Sequence, residues 1–458
     1  MATSQPLATR AGLRALERGG NAVDAALAAA AVLCVTEPMS TGVGGDLFAQ
    51  VWDGKELHGL DAAGPAPLRA DPDSPVEDAG PTSVTVPGAV AGWAALAERF
   101  GRLGLDTALE DAATAAEEGF AVAVETARAW SRAHAALAVG PRPDTGKRMR
   151  FPELAATLRR IADEGPDAIY RGEIADAIAS CTWLEPEDLA AYRPRWVEPL
   201  RLDYRGLTVC ELPPPTQGVA ALEGLGLLGE DHPGVAKQVE CIRLALEDAF
   251  AYVRDGADVS GLLAPDFLAR RRQEGSLDVT EPHGGTVYLC AVDGDRMAVS
   301  LIQSLYDSFG SGIVAPGTGI VLQNRGACFV VSGHVEPGRR PFHTIIPGML
   351  LRGGKVLAPF GVMGGFLQAQ AHVQVVPWLA DSLDPQWVLD RPRFRLDGDL
   401  VLLEGELWES APEIEALGLR VRAEPDSTVF GGGQAIMVAG DVLRGGSDSR
   451  KDGYAAGF

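Results

Sequence analysis

One short stretch limits what this chain can fold into. Gly284-Gly285-Thr286 runs without a break into the alternating apolar series Val287, Leu289 and Ala291, which the turn Asp293-Gly294-Asp295 closes before a second apolar run from Met297 to Leu305. That pattern predicts a strand, a tight turn and a second strand. A hydroxyl at the head of a sheet strand, preceded by an unhindered glycine peptide bond, has a chemical option that a mid-strand threonine lacks. It can attack the Gly285 carbonyl and shift the peptide to an ester. Once water releases that ester, the threonine starts a new chain whose free amine can activate its own hydroxyl. Taken alone, Gly-Gly-Thr is more often an ordinary turn before an ordinary strand, so the rest of the chain has to decide.

The chain before Thr286 reads as mainly helical. Pro6 suits the first turn of a helix reaching Arg18, and Gly19-Gly20 stops it. Asn21 and Asp24 can cap a second helix, Ala22 to Cys34, which is apolar on nearly every face and therefore buried. Phe48 to Trp52 and Glu56 to Leu60 flank Asp53-Gly54 as a hairpin, and residues 66–84, rich in Pro, Asp and Ser, read as a surface connection. Residues 85–140, 152–180 and 236–255 read as helices. After Thr286 the pattern turns to short strands at 287–292, 297–304, 319–323, 345–351 and 355–359, then a helix from Gln368 to Asp381. Neither an internal repeat nor a low-complexity tract interrupts it.

Composition excludes several function classes. With 62 acidic against 40 basic residues the formal charge is -22, which disfavours a nucleic-acid or anionic-membrane partner, since either requires a basic surface. A hydrophobic share of 46% is enough for a sizeable core. Six cysteines are scattered without CxxC spacing, which predicts buried free thiols, and seven histidines lack paired metal-binding spacing. Neither a metal nor any other cofactor is expected. The first long apolar run, Ala25 to Val35, is too short to span a bilayer, and polar Thr3, Ser4 and Gln5 follow Met1-Ala2. A cytoplasmic location is the expectation.

Long motifs in a fixed order raise the standing of Thr286. TSQPLATRAGLRALERGGNAVDAALAAAAVLCVTEPMSTGVGGDLFAQV at 3–51, FPELAATLRRIADEGPDAIYRGEIADAI at 151–178, EDLAAYRPRWVEPLRLDYRG at 187–206, the threonine strand, SFGSGIVAPGTGIVLQN at 308–324 and GVMGG at 361–365 together resemble the gamma-glutamyltranspeptidase family over nearly the whole chain. Asp390-Arg391-Pro392-Arg393-Phe394 resembles that family's terminal APRF region. The resemblance implies the α+β, four-layer αββα sandwich of N-terminal nucleophile hydrolases; composition and periodicity alone give only a mixed α and β chain. It also implies cleavage between Gly285 and Thr286, with segments 1–285 and 286–458 staying together as one intertwined domain. A homodimer of that pair is one assembly it allows.

Carried across residue by residue, the resemblance makes Thr286 the nucleophile and Ser304 the second hydroxyl that hydrogen-bonds it. Gly364 and Gly365 match the glycine pair whose N–H groups hold the oxyanion. The substrate positions depart from the family. Its carboxylate-gripping arginine, in a motif like RETAP, falls on Asp61-Ala62-Ala63-Gly64-Pro65, which offers no cation. Its ammonium-binding acid, in a motif like NNQMDDF, falls on Gln323-Asn324-Arg325-Gly326-Ala327-Cys328-Phe329. The paired serines become His343 and Thr344, and an asparagine becomes Tyr306. Arg325, Tyr306, His343 and Thr344 are therefore the candidate substrate-binding residues, with Arg325 the candidate anion clamp, although a purely structural arginine fits the same letters. Losing two charged clamps removes about 1.5 to 3 kcal/mol each, enough to erase most gamma-glutamyl selectivity. The expected activity is a self-processing threonine amidohydrolase or acyltransferase on a small amide, gamma-glutamyl compounds such as glutathione being the family substrate. Two other readings stay open: hydrolysis of an oxamate-like or cephalosporin-type acyl amide, and an unprocessed relative that only binds a ligand. The short connection from Phe329 to Arg340 predicts a pocket open to water.

Overall fold

A computed structural model describes residues 1–132, 140–229, 234–273 and 285–458 of the chain. His283 and Gly284, which lead into the threonine strand, lie outside the described residues, as do 133–139 of the expected 85–140 helical region.

Two antiparallel sheets face each other. The first runs, in spatial order, Tyr454–Ala455, Ala2–Thr3, Gly285–Val292, Ala298–Tyr306, Asp46–Trp52, Leu57–Ala62 and Arg195–Val197. The second runs Val442–Ser447, Gly432–Ala439, Lys355–Met363, Gly348–Arg352, Leu207–Glu211 and Leu200–Tyr204. Because a strand's side chains alternate between faces, Gly285–Val292 serves two cores at once. Val287, Leu289 and Ala291 pack against the helices Pro6–Glu17, Ala22–Thr36, Ala89–Phe100 and Leu105–Glu118, while Tyr288, Cys290 and Val292 pack against the second sheet. On the far side of the second sheet, Val209, Leu350, Phe360 and Val362 meet the helices Gly218–Leu228, Val235–Tyr252 and Leu367–Asp381. The result is the four-layer αββα sandwich.

Local signals fold as they read. Asn21 accepts from the N–H groups of Val23 and Asp24 while Asp24 accepts from that of Asn21, a complete capping box, and every residue of Ala22–Thr36 is buried. Asp293 closes the hairpin by accepting from the N–H groups of Asp295 and Met297 at 3.0 Å each. The first part carries more strands than the hairpin read from its sequence. Residues before Thr286 also supply Arg195–Val197, Leu200–Tyr204 and Leu207–Glu211, the last two joined by Arg205-Gly206 with φ 51° and 74°. That two-residue turn, between short alternating runs, is the signal a reading based on long apolar runs passes over. The 85–140 region is likewise broken by the strand Phe120–Ala121, and 319–323 shrinks to Ile320–Val321. All six cysteines are free and five are buried, Cys181 being half-buried. Among the described residues no group of His, Cys, Asp or Glu could hold a metal, and no helix is long and apolar enough to cross a membrane.

Candidate active site

Strand register assembles the site. Ser304 is paired with Asp46, and Gln303 with Val287, so Thr286, Ser304 and Asp46 lie almost abreast on three adjacent strands. Their even numbers put them on the face shared with Phe48, Tyr288 and Ile302, the face turned toward the second sheet. Odd-numbered Gln303 points the other way. It donates to Ala30 O at 2.8 Å and accepts from Trp93 Nε1 at 3.2 Å, pinning the strand to the helical layer. A bulge after Gln303 and a left-handed Tyr306 (φ 75°) turn the strand end back over Ser304.

Ser304 is the hub. Its hydroxyl donates to the Gly285 carbonyl at 2.7 Å and accepts from Tyr306 N–H at 2.8 Å. Thr286 Oγ1 donates to it at 3.3 Å and Arg325 Nη2 at 3.4 Å. The peptide bond before Thr286 therefore has its carbonyl oxygen already engaged by a donor. Thr286 is only 4% exposed, so the pocket expected to be open to water is closed in the unbroken chain. The physical reason is that Ser304 Oγ and Gln368 Nε2, 3.3 and 3.5 Å from Thr286 Oγ1, close over its hydroxyl.

Arg325 is fully buried in the short 3₁₀ helix Arg325–Val331. Its Nη1 donates to Thr344 Oγ1 at 3.0 Å and lies 3.6 Å from Cys328 Sγ, and its guanidinium carbon sits 4.4 Å over the Tyr306 ring. Tyr306 thus backs Arg325. His343 is fully buried, with Nε2 3.3 Å from Asp46 Oδ2 and its ring edge-on to Phe48. Burial, with Arg325 and Arg340 adding, holds His343 well below the usual imidazole range. Burial also pushes the Asp46 carboxyl up to about 7, against the opposing pull of Arg325.

Gly364 and Gly365 form the turn between Lys355–Met363 and Leu367–Asp381, with φ 144° and 64°. Such values favour glycine. Among the described residues neither N–H is engaged by another backbone group. Gln368, one turn on, places Nε2 3.5 Å from Thr286 Oγ1 and accepts from Ile346 N–H. Gln217 donates to Thr344 O at 2.6 Å and to Gly365 O at 3.2 Å, joining the His343-Thr344 segment to the glycine turn. Asp46, Gln217 and Gln368 are the site residues that sequence reading missed. The first stands in GVGGD, within a stretch that carries the family resemblance, and the last lies three residues after GVMGG; neither motif shows which neighbour a side chain meets.

A family model described as gamma-glutamyltranspeptidase matches residues 8–458. The chain belongs to the gamma-glutamyltranspeptidase family. Members are amide-bond hydrolases and transferases, and this chain is an amidohydrolase of that family. It is 32% identical to a glutathione hydrolase-like proenzyme of Bacillus subtilis, over 99% of this chain and 97% of the relative. It is equally similar, 32% over 99% and 97%, to an oxamate amidohydrolase proenzyme of Klebsiella pneumoniae. Among solved structures, a cephalosporin acylase from Bacillus halodurans superposes with a TM-score of 0.91 at 40% identity, covering 99% of this chain and 95% of that one.

Within the family frame, the missing clamp cation has a structural counterpart. Arg340 is buried beside the Asp61-Ala62-Ala63 segment, where Nε donates to Ala63 O at 2.6 Å and lies 3.5 Å from Asp61 Oδ2. Nη2 donates to Arg193 O at 3.3 Å. With these partners Arg340 holds the segment together and presents no open fork to a substrate carboxylate.

Proposed function

We propose that this gamma-glutamyltranspeptidase-family chain is a self-processing threonine amidohydrolase. The observation that carries the reading is the Ser304 hydroxyl, which accepts from Thr286 Oγ1 while donating to the Gly285 carbonyl. In processing, Thr286 Oγ attacks the Gly285 carbonyl carbon. Its proton passes to Ser304 as the Ser304 proton moves toward the carbonyl oxygen, so the developing oxyanion is never left uncompensated. Collapse breaks the Gly285–Thr286 C–N bond, the Thr286 nitrogen takes up the proton, and water hydrolyses the resulting ester. The freed amine then serves as base for the same hydroxyl in turnover. Gly364 and Gly365 supply N–H groups for the substrate oxyanion, and water releases the acyl group. Cleaved segments would stay associated, because Ala2–Thr3 and Asp46–Trp52 flank the two strands that follow Gly285.

The acyl group is a small amide's. Glutathione is the family substrate, but the Asp61-Ala62-Ala63 segment offers no cation and Arg340 is committed to backbone carbonyls, which supports a non-gamma-glutamyl substrate. Oxamate, or an acyl side chain of the cephalosporin type, fits that departure. Intact mass and denaturing gels of fresh wild-type protein beside Thr286→Ala test the reading. Wild type is expected to split after Gly285 and the variant to stay whole. A wild type that never splits removes the central step, and glutathione turnover at rates typical of the family would refute the substrate assignment.

A further inference from the structure

Arg325 is a buried cation whose hydrogen bonds, among the described residues, go to neutral groups only: Thr344 Oγ1, Ser304 Oγ and Cys328 Sγ. Asp46, an acid on which its charge bears, is bonded instead to His343 and to the Gly64 N–H. An interior guanidinium without a paired anion is costly, and a ligand carboxylate would repay that cost. The partners also define which edge is free. Nη1 is anchored on Thr344 and the guanidinium carbon sits 4.4 Å over the Tyr306 ring, whereas Nε has no partner and Nη2 makes only the long contact to Ser304. Nε and Nη2 form the side-on fork that takes a carboxylate through two parallel hydrogen bonds.

We infer that this fork reads a carboxylate attached at or next to the scissile carbonyl, so that the substrates are monoamides of short dicarboxylic acids. The inference rests on Thr286 being the nucleophile. A carbonyl attacked by Thr286 Oγ has to come within about 3 to 3.5 Å of it, which brings it beside Ser304. Only that one hydroxyl separates the reacting centre from the guanidinium. A carboxylate on the carbonyl carbon itself spans the gap, and one a single methylene further out still reaches the fork. A gamma-glutamyl carboxylate, four bonds from its carbonyl, overshoots. Cleavage opens the required room, since it frees the Gly285 carbonyl that now occupies Ser304.

The test uses self-cleaved protein and follows hydrolysis of oxamate, malonamate, succinamate and acetamide. In parallel, p-nitrophenyl acetate turnover is measured with oxalate or glutarate as competitor. The expected result is a kcat/KM that falls about 10- to 100-fold from oxamate to succinamate or acetamide, with oxalate inhibiting at tenfold or lower concentration than glutarate. Arg325→Met removes both preferences; should that variant fail to mature, the wild-type series decides alone. Equal kcat/KM across the amides and equal inhibition, in protein that has cleaved and turns over the ester, overturn the fork while leaving the nucleophile standing. Protein that neither cleaves nor hydrolyses the ester overturns both.

Discussion

Replacing Ser304 with alanine separates the two jobs its hydroxyl performs. The hydroxyl donates at 2.7 Å to the carbonyl oxygen that gains charge when Thr286 attacks. Loss of one such donor typically raises a barrier by about 2.7 to 4 kcal/mol, or 10²- to 10³-fold in rate. Ser304→Ala is therefore expected to slow appearance of the fragments ending at Gly285 and starting at Thr286 by at least about 100-fold. The same substitution strands the buried Tyr306 N–H, now bonded at 2.8 Å, at a stability cost of about 1 to 3 kcal/mol. Time-resolved intact mass gives the cleavage rate, and urea unfolding of the unsplit protein gives the stability. Ser304→Thr, which restores a hydroxyl at the same carbon, should recover most of the rate. A folded Ser304→Ala protein that splits within a few-fold of the wild-type rate would show that the bond to Gly285 O does nothing for the acyl shift, and the relay through Ser304 would have to be abandoned.

Two further perturbations test the buried charges around this site and beyond it. Asp46 holds its proton up to about pH 7 when folded but only to its ordinary value, near 3.8, when unfolded, so its contribution favours the fold at low pH and is lost as pH rises through that window. Asp46→Asn should therefore gain on wild type by about 4 kcal/mol between pH 4 and pH 7 and level off above it; a difference that stays flat with pH in urea titrations refutes this. Asp448 joins Arg393 at 2.7 Å and Arg450 at 3.0 Å, all three nearly fully buried. Asp448→Asn removes the carboxylate paired with Arg393, while Arg450 keeps Glu404, and should cost about 3 to 5 kcal/mol in denaturant unfolding.

What was legible in the sequence was what short-range chemistry decides. The capping box at Asn21 and Asp24, the hairpin closed by Asp293 and the all-apolar helix Ala22–Thr36 each depend on residues a few positions apart. Thr286 and Ser304, eighteen residues apart, meet because one hairpin joins them, so their contact was legible from the turn. Asp46 meets Ser304 only through a neighbouring strand that enters the sheet far earlier in the chain, and Gln368 and Gln217 arrive from the second sheet's side. No local pattern encodes those meetings. Arg325 shows the sharper limit: its letters fit a surface, structural or binding residue equally, and only burial beside neutral partners separates them.

The hydrogen-bond arithmetic at Ser304 explains why one cluster can serve both maturation and turnover. A serine hydroxyl has one proton and two lone pairs. Its proton goes to Gly285 O and the 2.8 Å bond from Tyr306 N–H takes one lone pair, so Thr286 Oγ1 at 3.3 Å and Arg325 Nη2 at 3.4 Å compete for the other. Both competing contacts are long, as expected when neither donor is fully satisfied. The uncut chain thus holds an under-bonded nucleophile and an under-bonded cation against a carbonyl that is already polarised. The proposed cleavage would remove that carbonyl and leave Ser304 free to redirect its proton. In the cleaved chain so proposed, Thr286 would gain a closer partner and the Arg325 fork would be released toward the space Gly285 vacates. On this account the residues that make the precursor reactive are the ones that shape the mature acyl site, which is why changing the fork should alter substrate choice and changing Ser304 should alter maturation first.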